Sequence, residues 1–412
     1  MSQRPADQLD GLTILACLGG QHAQKLQTVY VMRVDAQNLT IEPLGLGAMA
    51  GTTAIGAMIS PLFVGLLADR LFDSRRVLAV LHVIGAVLLV VAARQNSFPV
   101  LYAILLAYSL CYMPTLALTT ALAMRHIDDP GEEFGAIRVF GTIGWIVVGL
   151  IVGAWGVEAT ASPLHLAAAL SLVMACYCLT LPATPPLARG QRFELRHVFP
   201  VESLQLLRGR SMAVFALASF LICIPLQFYY AFTNLFLNET GVINAAGKMT
   251  GGQMSELFCM LLIPWFFRHL GVKYMLAVGM LAWVLRYAMF AFGAPGELMW
   301  MLWAGIVLHG ICFDFFFVVG QIYIDREAPP ALRAATQGLI TFLTYGLGMF
   351  VGSWVSGWVV DTHATVNNQS AAHDWRPIWL TAGTCAAFVL VLFVLMFKDR
   401  KSSIGSAATV AD

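Results

Sequence analysis

Apolar residues in this chain fall into runs of about 17 to 25, the length an α-helix needs to cross a bilayer's hydrocarbon, separated by short polar loops. Eleven such runs stand out, at about 44–67, 77–94, 99–124, 137–155, 163–182, 211–234, 250–267, 272–293, 297–320, 334–360 and 375–397. They predict an all-α integral membrane protein. Between the fifth and sixth runs lies PATPPLARGQRFELRHVFPVESLQLLRGR, a polar stretch with Pro and Arg that reads as a linker. The expected organisation is an N-terminal bundle over 44–182, a linker over 183–210, a C-terminal bundle over 211–397 and a tail over 398–412.

Charge placement gives an expected sidedness, because short cytoplasmic loops are enriched in Lys and Arg. Arg70, Arg75, Arg76, Arg125, the linker arginines, Arg268, Lys273, Arg326, Arg333 and Lys398 fall in alternate loops or the tail. The opposite loops hold Arg94, Lys248 and Arg376. The linker and the C-terminus are therefore expected in the cytoplasm. On that topology the 44–67 run begins outside, which calls for an outside N-terminus or a further span before it. Residues 1–43 carry one short apolar patch, GLTILACLGG, and then a polar stretch. An atypical N-terminal segment is expected, its first helix missing or degenerate, as a reading-frame change upstream of Leu44 would produce.

Composition agrees: 59% of residues are hydrophobic and 11% charged, where a soluble domain carries about a quarter charged. The net charge of +1 hides an uneven distribution that bears on topology and says nothing about nucleic acid, which is not expected as a partner. The eight cysteines lack metal-site spacing and read as packing residues. No metal, cofactor or enzymatic constellation is expected.

Against this background two acids stand out: Glu256 in GGQMSELFCMLLIPWFF and Asp314 in GIVLHGICFDFFFVVG. A carboxylate at hydrocarbon depth costs about 2.5 to 3.5 kcal/mol even on the lenient insertion scale, so such acids usually face a polar cavity and work there. Helical spacing places other polar residues on shared faces: Arg138, Thr142 and Trp145; Gln227, Tyr230 and Asn234; Gln253 and Glu256; Asp314, Phe317 and Gln321. Carboxylates, amides and a guanidinium beside aromatic rings suit a small ligand with hydroxyls and a flat part. Nucleosides, aryl glycosides and some drugs fit. Blander readings exist for each residue: Arg138 snorkelling to the interface, Arg286 pairing with an acid to stabilise the bundle, His82 and His309 as packed imidazoles, and Glu256 and Asp314 as members of a structural ion pair.

The halves echo each other faintly: Arg70–Val80 (RLFDSRRVLAV) aligns without gaps with Arg268–Val278 (RHLGVKYMLAV). Gly65, Asp69, Arg70, Arg75 and Arg76 in GLLADRLFDSRRVL resemble the loop signature of the major facilitator superfamily, two bundles of six helices, in which the Asp and basic residues hold helix ends together in one conformation. Glycines four apart (Gly47 and Gly51, Gly149 and Gly153, Gly247 and Gly251, Gly348 and Gly352) suit close helix approach and are expected at the seam between halves.

The runs AYSLCYMPTLALT, IRVFGTIGW, QMSELF, LAWVLRYAMFAFG, HGICFDFFF and RAATQG resemble the nucleoside:H⁺ symporter family of that superfamily, over about residues 44–397. The resemblance implies proton-driven nucleoside uptake across the inner (plasma) membrane by alternating access. No cofactor is implied, since the proton gradient supplies the energy, and a monomer is expected. By position it implies Arg138, Gln227, Gln253, Glu256, Phe313 and Asp314 as cavity residues, with Tyr230 where an amide is usual. Asp314, among phenylalanines, is expected to carry the proton and Glu256 to hold ribose, although Arg138 could instead keep either acid ionised. The alternatives are a facilitator of other amphipathic solutes, such as a sugar or drug, and a non-transporting remnant.

Overall fold

The computed structural model describes residues 45–70, 72–126, 130–157, 160–186, 201–329, 332–367 and 370–398. The side chains of 61–70 and 130–138 fall outside that description, as do residues 1–44, most of the linker and the tail from 399. The expected atypical segment 1–43 thus lies outside the described residues.

Five helices build the first half: α1 (Gly45–Arg70), α2 (Ser74–Ala92), α3 (Phe98–Met124), α4 (Pro130–Trp155) and α5 (Ser162–Thr180). A 3₁₀ turn, Val201–Arg208, leads into the second half. There α6 (Arg210–Glu239) and α7 (Ala245–Phe292) are followed by α8 (Met299–Glu327). Helix α9 comprises Arg333–Thr341, Phe342–Gly348 and Met349–Thr362, and α10 is Trp375–Met396.

Among the described residues eight helical stretches are long and apolar enough to cross a membrane, and the described side chains of α1 (Ala48–Ser60) and α4 (Val139–Trp155) form further apolar stretches. Helix α7 has 48 residues, which at 1.5 Å per residue would reach about 72 Å, far beyond a core of about 30 Å. It turns at Gly271, whose φ of 69° and ψ of 176° suit a residue without a Cβ. The turn falls at the polar gap between the seventh and eighth apolar runs.

Two starts differ from the apolar pattern. Helix α4 begins at Pro130 rather than 137, and α7 at Ala245 rather than 250. Helix ends that emerge from the hydrocarbon carry polar residues, so an apolar run understates a helix. At α7 the entry is fixed by Asn244 in the left-handed conformation, its side chain accepting from Gly247 N at 3.0 Å.

Within the first half α1 packs on α3, and α2 on α3 and α5; within the second α7 packs on α8 and α10, and α6 on α9 and α10. The halves meet along α1 with α9 and α4 with α7. Small residues permit both approaches. A Cβ on Gly51 would stand 2.9 Å from Ser353 Oγ, and one on Gly153 would collide with the Asn244 amide and the backbone of Gly247. Three of the seam glycines therefore behave as their spacing suggests. Gly251 instead faces Trp303 of α8, and Gly348 and Gly352 face Cys223 and Gln227 of α6, inside one half.

A two-stranded hairpin, β1 (Ala364–Asn367) antiparallel to β2 (Ser370–His373), follows α9. It was not legible as an apolar run. Glu239 at the end of α6 fastens it: the carboxylate accepts from His373 N at 3.2 Å and Trp375 Nε1 at 2.8 Å, with His373 Nδ1 at 3.0 Å. At the opposite end of the molecule Asp73 caps α2. It accepts from Arg75 N at 3.1 Å and Thr184 N at 3.3 Å, and pairs with Arg75 Nε at 3.3 Å. Arg75 also donates to Leu181 O at 2.7 Å. Of the signature residues, Arg75 thus ties the α1–α2 loop to the end of α5, and Arg76 is exposed. The side chains of Gly65, Asp69 and Arg70 lie outside the described set.

Candidate functional site

The most deeply buried charges gather in the second half, where α6, α7 and α8 converge. Arg286, in the returning arm of α7, and Asp314 of α8 are each 0% exposed. The guanidinium of Arg286 lies over the ring of Tyr229, 3.3 Å from its centroid. Such stacking favours a desolvated Arg by up to about 2 kcal/mol. Arg286 NH1 also reaches His309 Nδ1 at 3.2 Å.

His309 continues the chain. Its ring stacks on Tyr229 with centroids 5.1 Å apart, and its Nε2 points to Glu256 Oε2 at 3.9 Å. Guanidinium has donors only, so Nδ1 must accept and the imidazole proton sits on Nε2, facing the carboxylate. The segment is held in register by Ser255, whose Oγ accepts from Gly310 N at 3.0 Å. Close approach here needs small residues: a Cβ on Gly252 would stand 3.1 Å from His309 Cβ, and one on Gly310 2.5 Å from the Ser255 carbonyl. His309, read from the sequence as a packed imidazole, thus bridges Arg286 and Glu256. Nothing in its spacing signals this, because the three residues come from three separate helical segments.

A train of aromatic rings extends from this point. Tyr230 meets His309 edge-on at 6.4 Å, His309 meets Phe313 at 5.9 Å, Phe313 meets Phe317 at 5.2 Å, and Phe317 meets Tyr345 of α9 at 5.7 Å. Trp283 closes on Phe317 edge-to-face at 5.9 Å. Tyr230, Phe313, Phe317 and Tyr345 are only partly buried, so ring faces and edges remain available to a ligand.

The two acids differ in setting. The Glu256 side chain keeps 16% exposure, whereas Asp314 is sealed. Cys259 lies within electrostatic reach of both. Asp314 opens a π-helical turn, Asp314–Val318, a form that recurs at functional sites. The wider turn also breaks the expected face of Asp314, Phe317 and Gln321: an extra residue per turn rotates the downstream part of the helix, and Gln321 is exposed.

Gln253, one turn before Glu256, is 2% exposed, and neither amide atom finds a hydrogen-bond partner among the described residues. Gln227 is buried beside Gly352 of α9. Asn234 is engaged within its own half, its Oδ1 accepting from Asn238 at 3.1 Å. Thr142 is partly buried on α4. Arg138 lies on α4, its side chain outside the described set. The geometry therefore gathers Glu256 and His309 with Tyr230 and Phe313, and places Gln253 and Asp314 on the same helical segments.

Comparison with known proteins gives a consistent picture. The family model described as "Nucleoside H+ symporter" matches residues 20–402. The "Putative nucleoside transporter YegT" of Escherichia coli (strain K12) is 38% identical over 363 residues, 85% of each chain. The nucleoside permease NupG of the same organism is 30% identical over 379 residues, 88% of this chain and 89% of that one. A crystal structure of NupG carrying an aspartate-to-alanine substitution superimposes with a TM-score of 0.87 at 29% identity, covering 96% of this chain and all of that one. The fold is that of a major facilitator transporter, a multi-spanning membrane protein. With this match running nearly end to end, the chain belongs to the nucleoside H⁺ symporter family.

Proposed function

We propose that the protein imports nucleosides together with protons across the plasma membrane by alternating access. The observation that carries this reading is a partly buried train of aromatic rings ending at a partly exposed carboxylate, Glu256, beside the buried amide of Gln253, whose two polar atoms have no partner among the described residues. A nucleobase stacks on ring faces, and ribose hydroxyls pair with carboxylate and amide groups. A lone apolar drug would leave that amide unanswered. Unpaired amide atoms in a buried site discriminate strongly against ligands that cannot bond them.

The positive-inside pattern supports a cytoplasmic C-terminus and an outer position for the hairpin. On that orientation the seam contacts at Gly51 and Gly153 close the outer side of the cavity. The account of the proton differs from the sequence expectation. Asp314 is sealed in this conformation and Glu256 is not, so Glu256 is the acid that exchanges a proton here, and Asp314 serves the cavity from behind. Arg138 and Gln227 are proposed as further lining residues, Arg138 from the opposite half.

The test is uptake of labelled uridine and adenosine by cells lacking their own nucleoside permeases. Accumulation that a protonophore abolishes is expected. Uptake of labelled maltose in preference to either nucleoside would overturn the reading.

A further inference from the structure

We infer that His309 is a positioning residue for proton coupling: held neutral by Arg286, it presents its Nε2 proton to Glu256 and so favours the ionised carboxylate. This rests on the reading that Glu256 carries the proton. Three geometric facts support it. Arg286 NH1 lies 3.2 Å from His309 Nδ1, which fixes the tautomer because guanidinium has donors only. His309 Nε2 lies 3.9 Å from Glu256 Oε2, a small side-chain rotation short of a hydrogen bond. The imidazole stacks on the Tyr229 ring at 5.1 Å and meets Tyr230 edge-on at 6.4 Å, contacts that help orient it.

The same arrangement excludes His309 as the proton carrier itself. An imidazolium would turn a second N–H against the guanidinium and place two positive charges side by side in a low-dielectric interior. Nor can His309 relay a proton onward, because Arg286 does not give one up. What remains is a fixed donor whose partner alternates between carboxylate and carboxylic acid. When Glu256 is ionised the Nε2–H and the guanidinium behind it draw it towards α8; when Glu256 takes a proton that pull weakens and the acid can turn to a ligand. The other titratable groups facing this unit are Tyr229 and Tyr230 of α6, Tyr345 of α9 near Tyr230, Cys259 of α7, and Cys312 and Asp314 of α8. None of these is a cation; Arg138 of α4, proposed above as a lining residue, has its side chain outside the described set.

The test separates hydrogen bonding from shape. His309→Phe keeps an aromatic ring against Tyr229 but removes both nitrogens. His309→Gln can accept from Arg286 through its amide oxygen and donate to Glu256 through its amide nitrogen. Purified protein is titrated by infrared difference spectroscopy, with the Glu256 carboxyl band identified by its loss in Glu256→Gln. We expect the protonation midpoint in His309→Phe to lie at least about one pH unit above that of the parent, a tenfold change in proton affinity, and His309→Gln to stay close to the parent. Arg286→Gln, which removes the cation behind the imidazole, moves the midpoint the same way and gives a second reading if the Phe variant folds poorly. A Phe variant that titrates with the parent, a Gln variant that shifts as far as Phe, or a parent with no Glu256-dependent band overturns the inference. Because the readout needs no nucleoside, failure to transport would count against the proposed function and leave this result standing.

Discussion

The two halves of the molecule handle buried polarity in opposite ways. In the first half the buried polar side chains among the described residues are hydroxyls and His82, and several hydroxyls bond to their own helix one turn back. Thr52 donates to Met49 O at 2.8 Å, Thr115 to Tyr112 O at 2.6 Å and Thr119 to Thr115 O at 2.9 Å. In the second half Gln227, Asn234, Gln253, Arg286, His309 and Asp314 are buried, and the Arg286 to His309 link spans 23 residues. Local bonding satisfies a hydroxyl without reference to any partner helix and leaves it interchangeable with other small residues. Charges and amides joined across helices have no such local outlet, so their arrangement is specific. Among the described residues, the first half contributes close packing and a wall, and the second holds the buried charges and amides.

The largest break in that comparison is Arg286→Leu. It leaves His309 Nδ1 without its donor and Glu256 without the cation behind it, and nucleoside uptake should fall at least about 100-fold, equivalent to about 2.7 kcal/mol of lost stabilisation. Labelled uptake normalised to membrane protein measures it. Gly153→Ala should come next. Its Cβ meets the Asn244 amide and Gly247, so the α4–α7 seam must part, and overpacking of this kind costs about 1 to 3 kcal/mol. Thermal unfolding in detergent should show a lower midpoint, with uptake reduced several-fold.

Much of the fold was legible because a bilayer imposes a length on apolar segments, and the polar gap at Arg268–Gly271 correctly marked the turn within α7. Acids deep in apolar runs likewise drew attention to Glu256 and Asp314. The features that escaped the sequence did so for physical reasons. The π-turn at Asp314 shifts the helical phase, so Gln321 leaves the face that regular spacing assigned to it. Arg286 and His309 meet through tertiary packing, which no periodicity encodes. Asp73, the partner of Arg75, stands outside the motif positions that drew attention to that loop.

Smaller effects sharpen the contrast. Glu239→Gln weakens the charge-assisted bonds that fasten the hairpin to α6, with about 1.5 kcal/mol expected from the lost charge and uptake largely kept; the same unfolding assay reads it. Thr115→Val in the first half should cost no more than about 1 kcal/mol and leave uptake unchanged, since its hydroxyl serves only its own helix. If Thr115→Val impaired uptake as severely as Arg286→Leu, the division of labour between halves would be wrong.

The central claim is that proton-driven nucleoside accumulation runs through Glu256. Its most direct test is uridine uptake into proteoliposomes under an imposed inside-alkaline pH gradient, comparing the parent with Glu256→Gln. The account predicts that the parent concentrates uridine above equilibrium until a protonophore collapses the gradient, and that Glu256→Gln does no more than equilibrate it. Gradient-driven accumulation by Glu256→Gln equal to the parent's would contradict it.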